Sequence, residues 1–434
     1  MAALRPWSRG YRALIFLATA WALASCIFLL DSNLSSEREK FQESDFIMTF
    51  YVAGHLAASG RYDQLYPSPN ARSFIDSPFD EAAHKLLPHL PRTTTGAYMY
   101  TPLVAGFFAP FHWLDPNSAM LVWQIFSIVA LAASAFLLAQ ITRVKASDIF
   151  FLSFLFAPVF LTLWAGQLGL AFGLLPLCFG YFLILRGKPL FAGMVWSLLL
   201  LKPQFFFPAA FVAIVCACTQ RFRPLIGMTL GVVALLFLTV GLFSWPTTLQ
   251  WLSSHRVSDV YFFSGLQGIP SHLVTGLPAN LMVLLPVSAR ETVKLPLYTA
   301  AAAAWVYGVW FCLGLKKAQA SAPCQISIAL TVGVILASLT LPHLLYYDLC
   351  VLLPAGVLLV AKNSLLSIHG GHSVAAMGWI AISMFFPLLV GFAYTTILPL
   401  ILELIILFLF LALLTRLREQ QVNAPPALNA ESPA

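Results

Sequence analysis

Apolar residues run in blocks along this chain, and the blocks are separated by short turns carrying Arg, Lys, Pro and Gly. The runs fall at 14–30, 119–140, 149–164, 168–185, 189–201, 205–218, 225–243, 297–315, 326–341, 344–360, 374–394 and 397–414. A bilayer core takes about 20 apolar residues per helix. Twelve such runs therefore predict an all-α, polytopic membrane bundle of about twelve transmembrane helices. Runs such as 189–201 are too short to cross upright, so broken, tilted or re-entrant helices are expected there.

The loop charges test this count, because Lys and Arg collect on the cytoplasmic side of short loops. With the N-terminus inside, the inner loops hold Arg143/Lys145, Arg186/Lys188, Arg221/Arg223, Lys316/Lys317 and Lys362, and the inner tail starts at Arg416/Arg418. Lys202 alone breaks the alternation. The stretch 103–111 would invert Arg143 and Lys145 if it crossed, so it reads as a re-entrant or interfacial piece. Two long segments then fall on the outer face, 31–101 and 244–296. The membrane domain spans 1–419, and the tail 420–434, with Pro425 and Pro426, reads as disordered. The run 14–30 follows Arg5, Arg9 and Arg12 without a cleavage signature and reads as a retained anchor.

Composition agrees: 60% of the 434 residues are hydrophobic and 9% charged, with a mean hydropathy of +0.84. The net charge of +7 sits singly at helix ends, so it serves topology, and no nucleic-acid partner is expected. The seven cysteines lie in or beside apolar runs and read as packing residues, not a disulfide framework. His369 and His372 are too few for a metal site, and no phosphate-binding loop, His-Glu-x-x-His or Gly-x-Ser-x-Gly is present. No metal and no cofactor are expected.

Within the first outer loop, Ser44 and Asp45 precede a helical stretch that Gly60 stops. Its Phe46, Phe50, Ala53 and Ala57 share a face, which predicts a helix lying along the membrane interface with Asp45 at the surface. Four polar clusters reach the outer side: Asp45 with Arg61–Tyr66, Gly166–Gln167, Lys202–Gln204, and Pro342–Asp348. Taken alone, Asp45 reads as a helix cap paired with the macrodipole, with a catalytic acid as the alternative. Lys202 needs an anionic partner, such as a phosphate, or else snorkels to the headgroups. His343 after Pro342 is expected in the first helical turn, one turn before Tyr347, as a proton-handling or a structural histidine. Asp348 and Glu403, each inside an apolar run, are structural pairs or parts of a proton path.

Asp45-Phe46 with Phe50-Tyr51, then Gly60-Arg61-Tyr62-Asp63-Gln64-Leu65-Tyr66, Tyr100-Thr101-Pro102-Leu103, Gly166-Gln167, Leu201-Lys202-Pro203-Gln204 and Pro342-His343 with Tyr347-Asp348 occur in an order that resembles the polyprenol-phosphate-mannose-dependent mannosyltransferases of glycosyltransferase family 87. The resemblance covers most of residues 41–360 and implies the GT-C fold. It implies transfer of a hexosyl group, commonly mannosyl, from a polyprenyl-phosphate sugar donor to a lipid or glycan acceptor, inverting and without metal. The implied setting is the cell inner (plasma) membrane, among membrane lipid, with the site on the periplasmic side. Asp45 takes the position of the general base, with His343 orienting or assisting it. Lys202, with Arg256 or Arg61, would stabilise the leaving phosphate, and Gln167, Gln204 and Tyr347 would contact sugar or phosphate. In the second outer loop, where relatives carry an Asn-Gln-Ser type motif, only Gln267 and Ser271 remain, which bears on the acceptor. The competing readings are a transporter or flippase of a lipid-linked sugar, which lacks the expected symmetry of halves, and a non-catalytic scaffold.

Overall fold

The computed structural model describes residues 9–34, 44–68, 70–71, 73–92, 94–263, 273–314, 322–342, 344–361, 371–392 and 397–422. Almost every described element is helical. Seven helices are long and apolar enough to cross a membrane: Gly10–Leu34, Pro116–Thr142, Arg223–Phe243, Val287–Gly314, Pro323–Thr340, Gly371–Gly391 and Ile397–Glu419. Ala146–Phe154 and Ala157–Ala165, bent by 73° at their junction, make an eighth crossing if taken as one span. The remaining predicted runs are helical but short: Gly169–Leu185, Pro189–Leu201, Pro203–Cys218 and Tyr346–Val360. The twelve runs are thus mainly helical, but seven or eight among the described residues, not twelve, have the length of a crossing, and the run at 344–360 opens with the strand Leu344–Leu345. Phe16, Phe237, Val306 and Phe408, each at least 70% exposed, turn outward where only lipid tails could cover such side chains. The chain is a multi-pass membrane protein.

The short helices are short for local reasons. Gly166, at φ +67, takes the left-handed conformation that ends Ala157–Ala165. Pro203 pushes Lys202 out of the helical region, to φ −129 and ψ 90, and so divides two apolar helices. The segment before Lys202 is clamped from behind. Gly193 lies against the Pro224 carbonyl, Gly227 against the Leu190 carbonyl and Gly231 against the Ser197 hydroxyl. Helices Pro189–Ser197 and Arg223–Phe243 therefore meet backbone to backbone, as small residues permit in membranes.

One core joins the central helices through Tyr181, Trp196, Phe205 and Cys178. A second gathers the first outer loop onto Pro116–Thr142. The outer-loop helix opens with a π-turn, Phe46–Tyr51, and continues as Val52–Ala58. Phe46 stacks on Trp123 at 6.2 Å and meets Phe108 edge-on at 5.5 Å. The face expected to lie on lipid is instead covered by protein, because helix Pro102–Phe108 and the 3-10 turn Ala109–Trp113 fold over it. Gly54 allows this approach, since a Cβ there would sit within 2.6 Å of the Phe108 carbonyl carbon.

The second outer loop carries secondary structure of its own among the described residues. It holds helix Trp245–Phe263, a two-residue strand and helix Leu277–Leu284. The following helix starts at Val287, ten residues before the expected 297, and tolerates Pro296 inside it. The strand Val274–Thr275 pairs antiparallel with Leu344–Leu345, in register Val274 to Leu345 and Thr275 to Leu344. This small ribbon ties the loop to the segment carrying Tyr347 and Asp348. The last helix runs to Val422; the rest of the tail lies outside the described residues.

Candidate active site

Four breaks in helices deliver four polar side chains to one place. At the first, the Ser44 hydroxyl accepts the Ile47 amide at 3.3 Å. The serine is the cap, and Asp45, already helical at φ −55 and ψ −35, is released from that duty. At the second, the left-handed Gly166 presents its carbonyl to Trp123 Nε1 at 2.8 Å, and a Cβ there would strike Phe46 Cβ and Met120. Gln167 follows, its amide bound to the Thr162 carbonyl at 2.9 Å. Lys202 occupies the third break. The fourth is the 3-10 turn Tyr346–Leu352, in which one Asp348 oxygen accepts the Leu345 amide at 3.2 Å.

These side chains form one connected chain of hydrogen bonds. Gln167 Nε2 donates to Asp45 Oδ2 at 2.7 Å, while its carbonyl oxygen accepts from Lys202 Nζ at 3.1 Å and from the Tyr100 hydroxyl at 3.4 Å. Lys202 Nζ then pairs with Asp348 Oδ1, both side chains being almost wholly buried. The opposite charges fix the Gln167 amide: its NH2 must face the carboxylate and its oxygen the ammonium. The Tyr347 hydroxyl completes the set by hydrogen-bonding Asp45. The Tyr347 and Phe205 ring centroids each lie 5.2 Å from Lys202 Nζ, within cation–π range.

Burial pushes the Asp45 carboxyl above the usual carboxylate range, and the nearby Asp348 charge adds to this. The bonds from Gln167 and Tyr347 and the Lys202 charge oppose the rise without cancelling it. Asp45 is half-buried, so it can meet a ligand at the protein surface while poised closer to neutrality than a free aspartate. That is the state a general base needs.

The structure brings together Asp45, Gln167, Lys202 and Tyr347. Half-buried Gln204 shares the turn that follows Lys202. Lys202 departs from expectation: its buried charge is met by Asp348 inside the protein, so no phosphate is needed to explain it. The two arginines expected beside it are elsewhere. Arg61 follows the far end of the Asp45 helix, roughly 20 Å along its axis, where its charge acts on His55. Arg256 is exposed on Trp245–Phe263, whose Val257 packs with Phe74 and Ala97. Neither arginine is hydrogen-bonded or ion-paired with the network.

His343, Gln267 and Ser271 lie outside the described residues. The expected helical spacing from residue 343 to Tyr347 is absent, however, because Leu344–Leu345 are a strand and the helix begins at Tyr346. Two members were not assigned to the site from sequence. Asp348 carried a signal, since a lone carboxylate and a lone lysine in separate apolar runs are natural partners. Tyr100 carried a signal only as the first residue of the string Tyr100-Thr101-Pro102-Leu103; it is set by the Tyr66 hydroxyl, which donates to its carbonyl at 2.6 Å. Among the described residues no three His, Cys, Asp or Glu side chains gather as a metal-binding group.

A multi-pass bundle that holds a carboxylate, an amide, an ammonium and a second carboxylate in one relay, at the ends of broken helices, has the layout of a membrane-embedded enzyme. The sequence model of glycosyltransferase family 87 matches residues 98–342, more than half of the chain, and the protein belongs to that family. No curated protein and no solved structure matches it. The match takes in Tyr100, Gln167 and Lys202 and excludes Asp45 and Asp348. The protein is therefore a membrane glycosyltransferase, using a sugar donor and an acceptor.

Proposed function

We propose that the protein moves a hexosyl group, mannosyl in the first instance, from a polyprenyl-phosphate donor to an acceptor hydroxyl, with inversion and without a metal. The observation that carries this reading is the single hydrogen-bonded relay joining Asp45, Gln167, Lys202 and Asp348. Asp45 takes the proton of the acceptor hydroxyl as that oxygen bonds to the anomeric carbon. The bond from that carbon to the phosphate oxygen breaks, and its electron pair leaves with the polyprenyl phosphate. Attack and departure on opposite faces invert the centre. Base catalysis of this kind contributes about 10²- to 10⁴-fold.

Lys202 meets the charge growing on the leaving phosphate, as cationic groups do at other phosphoryl sites. Its present partner, Asp348, keeps that ammonium soluble in the apolar core until the donor arrives. Gln167 transmits position between base and cation, and Tyr347 holds the Asp45 carboxylate. A role for His343 in orienting or assisting the base rests on the order of the family motifs alone. The bias of the loop charges supports a periplasmic setting for this face, in the inner membrane.

The test is transfer from radiolabelled polyprenyl-phosphate-mannose in membranes holding equal amounts of wild type and Asp45→Asn, with and without EDTA. Transfer is expected from wild type in both conditions and to fall at least about 10²-fold in the variant. Wild-type membranes that move lipid-linked sugar across the bilayer without transferring it would favour a flippase instead.

A further inference from the structure

Buried side-chain polar atoms without a partner are few in this protein, and they are not spread evenly. Eleven occur among the described residues, and four of them surround Gly276: both carboxyl oxygens of Glu403, the Thr275 hydroxyl and the Asn280 amide nitrogen. Glu403 and Thr275 have no exposed surface and Asn280 has 2%. Each such group costs about 1–3 kcal/mol when left unsatisfied, and more when charged, so their gathering in one place calls for a ligand.

The elements fix the place. Glu403 lies six residues into the last helix from Ile397, about 9 Å along its axis. That helix packs on the strand Val274–Thr275 and on Leu277–Leu284. The Gly276 amide approaches the Glu403 carboxyl without completing a bond to either oxygen. Gly276, at φ +100, lets the Leu341 carbonyl press against its Cα, and its own carbonyl accepts the Asn280 amide at 3.0 Å. A carboxylate, a hydroxyl, a main-chain carbonyl and a side-chain amide thus belong to residues gathered around Gly276. Among the described residues no Lys, Arg or His is ion-paired with Glu403.

We propose that this cluster binds a single monovalent cation of the Na+ class, through Glu403, the Thr275 hydroxyl and the Leu341 carbonyl, with the Asn280 amide donating to the carboxylate. All the ligand atoms are hard oxygens, which suit alkali and alkaline-earth ions over transition metals. One carboxylate balances one positive charge. A divalent ion would leave a net charge deep in a span, where it is costly. The ion pins the ribbon Val274–Thr275/Leu344–Leu345 to the last helix, and the next residue contact along that ribbon is the Leu345 amide on Asp348. Cation binding therefore stabilises the segment that supplies Tyr347 and Asp348. The site stands apart from the transfer reaction and does not depend on it.

The experiment is thermal unfolding of the purified full-length protein in detergent, at fixed pH and ionic strength, with NaCl titrated against choline chloride. Wild type is expected to show a saturable rise in Tm with Na+. Glu403→Gln abolishes the response, and Thr275→Val moves its midpoint at least about tenfold higher, as loss of one polar contact to a charge implies. If Glu403→Gln does not fold, Thr275→Val decides alone, and an unmoved midpoint overturns the site. Equal Tm in both salts for wild type, an intact response in Glu403→Gln, or a Tm that follows pH but not Na+ also overturns it, the last by showing that Glu403 holds only a proton.

Discussion

Splitting the Lys202–Asp348 pair should be costly in a lopsided way. Breaking a buried pair by removing one partner costs about 3–5 kcal/mol, because the survivor stays charged and buried. In Asp348→Asn the stranded Lys202 keeps the Gln167 oxygen at 3.1 Å and two aromatic faces at 5.2 Å. Each face is worth roughly 0.5–2 kcal/mol to a cation, so this variant belongs near 3 kcal/mol. In Lys202→Met the stranded carboxylate keeps only the Leu345 amide at 3.2 Å, and the cost belongs near 5 kcal/mol. Lys202→Met combined with Asp348→Leu removes both charges and should recover most of the loss. Reversible unfolding in mixed micelles, read by tryptophan fluorescence, gives the four corners of the cycle. Equal penalties for the two single variants would refute the asymmetry, and a double variant as unstable as their sum would refute the pairing.

Asp45 makes rate and stability move in opposite directions with pH. Its folded-state value is raised, mainly by burial, so its contribution to stability is full below the unfolded value of about 3.9 and is lost as pH rises through the folded one. Catalysis needs the ionised form and rises across the same window; pH profiles of transfer and of unfolding should cross, and Asp45→Asn should flatten the stability profile. Gly166→Ala forces a Cβ into Phe46 and Met120 at a left-handed position, which costs more than about 2 kcal/mol and lowers kcat through the displaced Gln167; unaltered stability by the same unfolding assay would show that the turn is not constrained. Arg61→Gln and Arg256→Gln should each change kcat/KM less than about threefold, under 1 kcal/mol; a larger loss from either would place it at the donor phosphate after all.

The helical bundle was legible because a bilayer selects long apolar helices, and the twelve apolar runs are mainly helical, although only seven or eight have the length of a crossing. What the runs could not show is how helices end. The fates of Gly166 and Pro203 decide where Gln167 and Lys202 point, and those depend on Trp123, Phe46 and the glycine contact behind residue 193. The lysine stood out because it opposed the charge bias of the loops, yet its partner is 146 residues away and no local pattern links them. The aromatic stripe of residues 46–57 had the periodicity of a lipid-facing helix. Periodicity reports that a face is buried and is silent on what covers it, and here Phe108 and Trp123 do. The ribbon at Thr275 and Leu344 is two residues long, below what alternation can reveal.

The 146 residues between Lys202 and Asp348 also have a meaning in time. A ribosome adding about 5–20 residues per second needs roughly 7 to 30 s to cover that stretch. When the first half of the bundle enters the membrane as it is made, it does so with an ammonium whose carboxylate has not yet been synthesised. A chain that stalls or is cut before residue 348 never gains that partner, and its ammonium is left with the Gln167 oxygen and two aromatic faces inside an apolar core.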